Sequence, residues 1–313
     1  MTTQTRAQES GFHRFIRSFH FARTWQCYAM LVVPAAMVFI FNYLPLYGLV
    51  MAFQNYNPGK GFSGSEFVGL KWFRMAMSLP DFSEIVRNTI TISLGKIIFT
   101  QCTSILFALC INEVAKPLFK RTVQTITYFP HFLSWVIVGG VFIDMLSTRG
   151  ILNQLLSVFG IRPIFFLGSN LWFQPVMIML EVWKEFGYGA IIYLAAITSI
   201  NPELYEAAKI DGAGRLNQTI HVTLPGIGVT IVMMVTLALG GIMNAGFDQI
   251  FVMYNPSVYE TADIIDTFIY RQGLVDSQYS LSTAIGLFKS VIGAVLLITT
   301  NAFATKKFNY RIF

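Results

Sequence analysis

Charged side chains are scarce in this chain of 313 residues, where only 12% are Asp, Glu, Lys or Arg and 54% are hydrophobic. Soluble domains carry about 25% charged residues, so the composition argues against a water-soluble fold and favours a lipid bilayer as the solvent. The net charge of +6 is spread over short loops and tails. We therefore expect the basic residues to set orientation in a membrane and expect no nucleic-acid partner.

Cysteine and metal-binding patterns are nearly missing as well. The three cysteines all lie in apolar segments, which excludes a disulfide framework and offers no metal-ligand spacing. The four histidines form no H-E-x-x-H pattern, and no G-x-x-x-x-G-K-[ST] phosphate loop is present. We expect no metal and no cofactor on this chain, and no binding of ATP.

Long hydrophobic runs are what the sequence has in abundance, and six of them can cross about 30 Å of hydrocarbon. We therefore predict an all-α integral membrane protein, with residues 1–26 as an N-terminal segment and 27–313 as one transmembrane domain. The first run is too long for a cleaved signal peptide and follows a polar, basic stretch. The predicted spans are 27–53, 85–111, 123–146, 173–200, 226–252 and 281–305.

The distribution of Lys and Arg predicts the orientation of these spans. The two termini and the segments 112–122 and 201–225 together carry twelve Lys and Arg, whereas the opposite set of segments carries six. Basic residues concentrate on the cytoplasmic side of a membrane. We predict a multi-pass protein of the cytoplasmic membrane with both termini and the 201–225 insert in the cytoplasm.

The polar insert 201–225 between the fourth and fifth spans predicts a helical hairpin. Asn201 is a good N-cap, and Pro202 suits the first helical position. We expect this helix to run to Asp211 and Gly212 to end it in a left-handed conformation. A second short helix is expected to begin near Gly214 and to end before Pro225.

The same insert carries a recognisable spacing. Glu206-Ala207-Ala208 is followed after three residues by Gly212, and after nine more by Val222, with Leu224-Pro225 closing the string. This resembles the EAA loop of binding-protein-dependent ABC importer permeases, whose pattern is E-A-A-x3-G-x9-I-x-L-P. The one departure is Val222 in place of Ile, which keeps a β-branched apolar side chain.

The resemblance covers most of the chain and is strongest to the carbohydrate branch of the family. The Pro130–Trp135 and Gly286–Lys289 stretches are most similar to the polysaccharide importers, which include alginate importers. Shorter matches to the oligosaccharide branch are Tyr56–Pro58, Phe67–Leu70 and Asn88–Thr89.

The resemblance implies a type I importer fold and a mechanism. The permease would pair with a second permease, dock an ATPase dimer through its EAA helix, and receive a carbohydrate from an extracytoplasmic binding protein. ATP and Mg²⁺ would be held by the ATPase subunits, and the chain itself would not be an enzyme. The residues implied in coupling are Glu206, Ala207, Ala208, Asp211, Gly212, Leu224 and Pro225.

Ionisable residues inside the predicted spans need an explanation, because each costs about 2.5–3.5 kcal/mol at mid-bilayer. Glu181 and Lys184 are three residues apart and can neutralise each other, whereas Glu185 follows Glu181 by four residues as an unfavourable like-charge pair. Two interpretations stay open: an ion network that locks helices together, or the polar lining of a sugar path. The candidates for that path are Trp183, Glu185, Tyr188, Asn244, Asp248 and Gln249.

Two other classes of protein can be weighed against an ABC permease. An ATP-independent secondary transporter or channel explains the spans but not the EAA spacing, and it would be expected to show inverted repeats or interrupted helices. An intramembrane enzyme needs a metal motif or a nucleophile–base pair at depth, and the sequence shows neither. The sequence does not identify the sugar.

Overall fold

The computed structural model describes residues 21–308, so most of the predicted N-terminal segment 1–26 lies outside the described residues. The fold is mostly helical, which confirms the predicted class; the exception is a short antiparallel pair of strands, β1 (Gln54–Asn55) and β2 (Glu66–Phe67). The α-helices are α1 (Phe21–Val38), α2 (Gly61–Gly64), α3 (Lys71–Ser78), α4 (Phe82–Asn112), α5 (Pro117–Tyr128), α6 (Trp135–Leu146), α7 (Ile151–Val158), α8 (Phe173–Thr198), α9 (Pro202–Ile210), α10 (Arg215–Gln218), α11 (Leu224–Gly226), α12 (Gly228–Gly240), α13 (Phe247–Met253), α14 (Tyr259–Ala262), α15 (Ile265–Tyr270) and α16 (Tyr279–Phe308).

The chain divides into two compact units, Met1–Val50 and Met51–Phe313. Within the described residues, the first unit consists of α1 and the π- and 3₁₀-helical turns that follow it. The second unit contains all the predicted site residues.

Four helical segments of the described chain are long and apolar enough to cross a membrane: Trp25–Phe53, Phe82–Asn112, Trp135–Val158 and Tyr279–Phe303. A bent pair, Arg215–Gly226 with Gly228–Gly240, makes a fifth if it is taken as one span. The remaining predicted span, 173–200, corresponds to α8, which has 26 residues. It differs from the others because its three charged side chains, Glu181, Lys184 and Glu185, lie together in the middle of the helix, and their partners matter for the site.

The helices α4 and α8 pack along each other and form the centre of the second unit. At one end of this pair, Ala108, Tyr193 and Ile227 belong to one buried cluster. At the other end, Ile92 and Met177 pack against Ile250 of α13 and the segments around it. A third cluster joins α3, α15 and α16 to the start of α4.

The predicted continuous span 226–252 is wrong, because the helix breaks between α12 and α13. Gly246 has a left-handed φ of +89°, and the segment 241–246 that it ends is not helical. An interrupted helix at membrane depth leaves backbone carbonyls that the protein must satisfy. Lys96 of α4 does so, since its Nζ donates to the carbonyl of Ala245 at 2.7 Å. A Cβ on Gly246 would lie 2.7 Å from that same Nζ, so glycine makes room for the lysine.

The predicted span 123–146 is also interrupted. Helix α5 ends at Tyr128, a 3₁₀ turn follows at Phe129–Phe132, and α6 begins only at Trp135. Pro130 lies in that turn, and the Ser134 side chain caps α6 by accepting from the Ile137 amide at 3.4 Å. Local proline and cap chemistry therefore redirects the chain within an apolar run.

Two pairs of adjacent glycines, Gly139-Gly140 and Gly240-Gly241, differ in how closely other side chains approach them. A Cβ on Gly139 would lie 2.6 Å from Cγ1 of Val252, and one on Gly240 would lie 2.6 Å from Cδ1 of Leu297. A Cβ on Gly140 would meet nothing within 4 Å. The close approach thus depends on one glycine of each pair.

Candidate functional site

The polar insert forms the predicted hairpin, and its first helix is capped at both ends. The Asn201 side chain accepts a hydrogen bond from the Glu203 amide at 3.1 Å, and Pro202 is the first helical residue. At the other end, Gly212 adopts a φ of +80°. The Gly212 amide donates to Lys209 at 3.0 Å and the Ala213 amide to Ala208 at 2.8 Å, which is the Schellman pattern.

The second arm of the hairpin differs from the prediction. Helix α10 does not stop before Pro225 but continues through a π-helical turn, Thr219–Thr223, into α11 and ends at Gly226. Proline has no N–H to donate, so one hydrogen bond of the helix is missing at Pro225. The chain accommodates this with the wider π-helical turn before the proline and a 57° bend to α12. The hairpin is therefore continuous with the chain that enters the next span.

Side-chain hydrogen bonds hold the two arms of the hairpin together. The Tyr205 hydroxyl lies 3.0 Å from Oγ1 of Thr223, and Nε2 of Gln218 donates to the Ala213 carbonyl at 2.7 Å. The first contact joins the two arms, and the second ties the second arm to the turn. They give the exposed outer surface of the hairpin a defined shape.

Among the residues expected to couple the hairpin to a partner, Glu206, Ala207, Asp211, Gly212, Leu224 and Pro225 are exposed, and Ala208 is half-buried. Three large apolar side chains stand beside them, Leu204, Ile210 and Leu216, and Ile210 is 87% exposed. An exposed apolar patch on a well-ordered polar hairpin is typical of a protein-docking surface.

A polar cleft of about 250 Å³ lies at the helix break. Its walls come from α4, α8 and the segment 241–246, and Asn244 faces it. Ser93 and Thr100 of α4 also line the cleft, and their buried hydroxyls have no hydrogen-bond partner among the described residues. Buried hydroxyls without a partner in the described chain are candidates for hydrogen bonds to ordered water.

Charged residues of α8 line the same cleft, but they do not pair as predicted. Glu181 pairs with Lys96 of α4 at 3.3 Å, whereas Lys184 pairs with Glu185 at 2.9 Å. The expected Glu181–Lys184 neutralisation is therefore wrong. Each glutamate thus has its own lysine, one from α4 and one from α8, which offsets the repulsion between the two carboxylates. Nδ1 of His131 also lies 2.7 Å from Glu185.

The predicted path residues separate into three groups. Glu185 and Asn244 line the cleft, and Tyr188, one turn further along α8, is 42% exposed and stacks on His131 with ring centroids 3.8 Å apart. Asp248 is exposed on α13. Trp183 faces elsewhere: its ring packs against Phe142, on an apolar groove of about 590 Å³.

Gln249, the last predicted path residue, is fully buried and holds the bundle together. Its Nε2 donates to the Met177 carbonyl at 2.9 Å, and its Oε1 accepts from Lys96. Both ends of its amide are thus used between helices. Gln249 supports the helix break and does not face the cleft.

A second cleft of about 470 Å³ lies on the other side of Asn244. It is bounded by α12, α15 and α16 and contains an ion pair of Lys289 with Asp266 at 2.5 Å. Asn244 thus stands between two polar clefts.

Lys96, Ser93 and Thr100 line the cleft but are not among the site residues that the sequence predicted. A lone lysine in an apolar run was the available signal for the first. Hydroxyl groups in an apolar helix usually bond to their own backbone, so no sequence signal distinguished the other two.

Comparisons with known proteins agree with this geometry. The family model described as binding-protein-dependent transport system inner membrane component matches residues 102–308. The chain is 42% identical over 279 residues to the polygalacturonan/rhamnogalacturonan transport system permease protein YteP of Bacillus subtilis (strain 168), covering 88% of this chain and 87% of that protein. It is 41% identical over 279 residues to the protein LplB of the same organism, covering 88% of each chain.

Solved structures show the same fold. One is a crystal structure of a bacterial ABC transporter involved in the import of the acidic polysaccharide alginate, with a TM-score of 0.85 and 39% identity over 94% of this chain and 99% of that one. A second is a bacterial alginate ABC transporter in complex with an alginate pentasaccharide-bound periplasmic protein, with a TM-score of 0.83 and 40% identity over 91% and 96% of the two chains.

Proposed function

Since the chain belongs to the family of binding-protein-dependent transport system inner membrane components, it is a transport permease, and we propose that it imports an acidic oligosaccharide or polysaccharide. Among the similar proteins at 39–42% identity, those named for their substrates are named for polygalacturonan, rhamnogalacturonan and alginate, all of them acidic polymers. The proposal includes delivery by an extracytoplasmic binding protein, as in the alginate complex. It also includes a second permease subunit and an ATPase dimer as partners.

The observation that carries the coupling part of the proposal is the rigid hairpin 201–225. Its caps, its Schellman turn and its exposed Leu204 and Ile210 present a small, fixed apolar surface beside Glu206. Because α11 leads directly into α12, movement of the hairpin is transmitted to the segment that bears Asn244. We propose that the ATPase subunit docks here, with the hairpin and both termini in the cytoplasm, as the Lys and Arg distribution indicates.

The substrate path is proposed to run past Asn244, between the two polar clefts. Glu185, Tyr188 and Asp248 are its further candidates, whereas we leave out Trp183, which packs on Phe142, and Gln249, which bonds to Met177. Both lysines of the clefts, Lys96 and Lys289, are ion-paired. This subunit therefore offers an acidic sugar mainly hydrogen bonds, and we expect the partner permease to supply positive charge.

An ATP-independent transporter is the alternative, and the interrupted helices found here occur in that class as well. The two functions differ in their need for an ATPase. The complex with its ATPase, second permease and binding protein is reconstituted in proteoliposomes, and uptake of labelled oligogalacturonate is measured with ATP and with a non-hydrolysable analogue. We expect uptake only with ATP and binding protein; equal uptake without ATP would refute the proposal.

The docking role is tested by Glu206→Lys, with Glu66→Lys as a matched control in β2, outside the hairpin. Reversal of one charge on the hairpin surface should lower ATP-driven uptake strongly while the complex stays in the membrane. The control should behave as the unmodified protein. Wild-type uptake by Glu206→Lys would contradict docking at this surface.

A further inference from the structure

Five aromatic rings form a continuous series that begins directly after the helix break. Phe247 and Phe251 stack one turn apart on α13, with centroids 5.0 Å apart, and Tyr270 lies against both at 5.7 and 4.8 Å. Tyr254 continues from Phe251 at 6.1 Å, and Tyr259 from Tyr254 at 5.2 Å. We call these five residues the aromatic ladder.

The far end of the ladder is fixed by a buried ion pair. Asp263 is 4% exposed and accepts from both terminal nitrogens of Arg271, at 3.3 and 2.5 Å. The guanidinium then lies 4.8 Å from the centre of the Tyr259 ring. Asp263 uses two of the five N–H donors of an arginine, which leaves others for a further acceptor.

The ladder also has polar groups at its edge. Burial raises the pKa of Tyr254 to about 12, and a side-chain hydrogen bond with the neighbouring Tyr259 adds to the shift. Phe251, in the middle of the ladder, is 37% exposed. The ladder thus combines accessible ring surface with hydrogen-bonding groups at its edge.

The ladder leads to the clefts of the proposed path. Phe247 and Tyr270 line a cleft of about 360 Å³ that also contains Asp266. Asp266 lines the neighbouring cleft together with Asn244 and Lys289. A chain of sugars that follows the rings from Tyr259 to Phe247 therefore arrives at the helix break without leaving this series of contacts.

We propose that the aromatic ladder is a binding track on which the pyranose rings of an acidic oligosaccharide stack before they reach Asn244. The apolar faces of sugar rings match aromatic faces, while their hydroxyls need the polar partners that tyrosine and arginine provide. The apolar groove beside Trp183 and Phe142, with its almost wholly apolar walls, lacks such partners and suits lipid or another helix instead. The proposal rests on the proposed function, because it assumes that a carbohydrate is transported.

A binding track predicts a dependence on substrate length. A disaccharide covers few rings, whereas a hexasaccharide covers the ladder. In the reconstituted complex, Tyr254→Ala combined with Tyr270→Ala should reduce uptake efficiency about tenfold for labelled oligogalacturonate hexasaccharide, equivalent to about 1.4 kcal/mol. The disaccharide should change less than twofold. Tyr254→Phe with Tyr270→Phe keeps the rings and should retain most uptake, and Phe159→Leu, at an exposed phenylalanine after α7, should have no effect.

Direct contact is tested with p-benzoylphenylalanine at position 251, which should crosslink to the labelled hexasaccharide upon illumination, whereas the same group at position 159 should not. Equal uptake of both lengths by the double alanine variant, with no crosslink at 251, would overturn the proposal. So would loss of the second permease on co-purification, or weaker docking of the loaded binding protein, since the ladder would then be a protein interface. Failure of the unmodified complex to import any oligogalacturonate or oligoalginate would instead refute the proposed function, and the track with it.

Discussion

Gly212 ends the first helix of the hairpin 201–225 with a φ of +80°, and, if the proposed docking is right, Gly212→Ala should weaken binding of the ATPase while sparing the membrane-embedded part of the chain. No atom lies within 4 Å of a Cβ built at this position, so the substitution adds no clash. The remaining cost is the backbone conformation, which disfavours alanine by about 1–2 kcal/mol. The alanine variant should therefore fray the two hydrogen bonds of the Schellman turn.

If docking requires the hairpin conformation seen here, the free-energy cost of the left-handed backbone at position 212 weakens the affinity of the hairpin for the ATPase subunit. A shift of about 1–2 kcal/mol corresponds to a roughly 5- to 30-fold weaker apparent Kd for the ATPase subunit. Gly212→Asn should show a smaller loss, because asparagine tolerates the left-handed region better than alanine.

The assay is a titration of purified, fluorescently labelled ATPase subunit onto the permease pair in nanodiscs. Gly214→Ala is the matched control, since Gly214 lies two residues away with a φ of −68° and also has nothing within 4 Å. The reasoning is refuted if Gly212→Ala and Gly214→Ala bind the ATPase equally well. It is also refuted if asparagine at position 212 is worse than alanine.

Three further predictions concern the helix break and the packing around it. Asn244→Ala should impair substrate-stimulated uptake without loss of assembly, which uptake and co-purification measure together; unchanged uptake would remove Asn244 from the path. Lys96→Met should destabilise the purified protein by about 3 kcal/mol, because Glu181 and the Ala245 carbonyl lose their partner. Adding Glu181→Gln should recover part of this loss, and thermal unfolding measures both effects. Gly139→Ala should cost about 1–3 kcal/mol of stability while Gly140→Ala is neutral, and equal unfolding temperatures would contradict the close approach of α6 and α13.

The features that sequence predicted well are local in origin. Asn201, Pro202 and Gly212 act within a few residues of themselves, so cap and turn chemistry sufficed to place the first helix of the hairpin. The apolar runs likewise placed most of the membrane-spanning helices. In both cases, the interactions that determine the local structure are made by residues close together in the sequence.

The features that sequence missed depend on distant partners. The apolar pattern continues through the segment 241–246, so the sequence gives no sign of the break there. The break is stabilised by Lys96, about 150 positions earlier in the chain, which donates a hydrogen bond to the Ala245 carbonyl. The pairing of Lys96 with Glu181 is equally non-local, and it replaced the i, i+3 pair expected within α8. Pro225 was expected to end the second helix of the hairpin, but a π-helical turn before it allows the helix to continue to Gly226.

The charges of α8 have a consequence for how the protein is made. Lys184 and Glu185 pair within α8, so Glu181 is the side chain left without a partner if this helix enters the bilayer alone, at a cost of about 2.5–3.5 kcal/mol. Lys96 belongs to a helix that is synthesised earlier, and it neutralises Glu181. We therefore expect α8 to enter the bilayer more readily when α4 is already in or beside the insertion site.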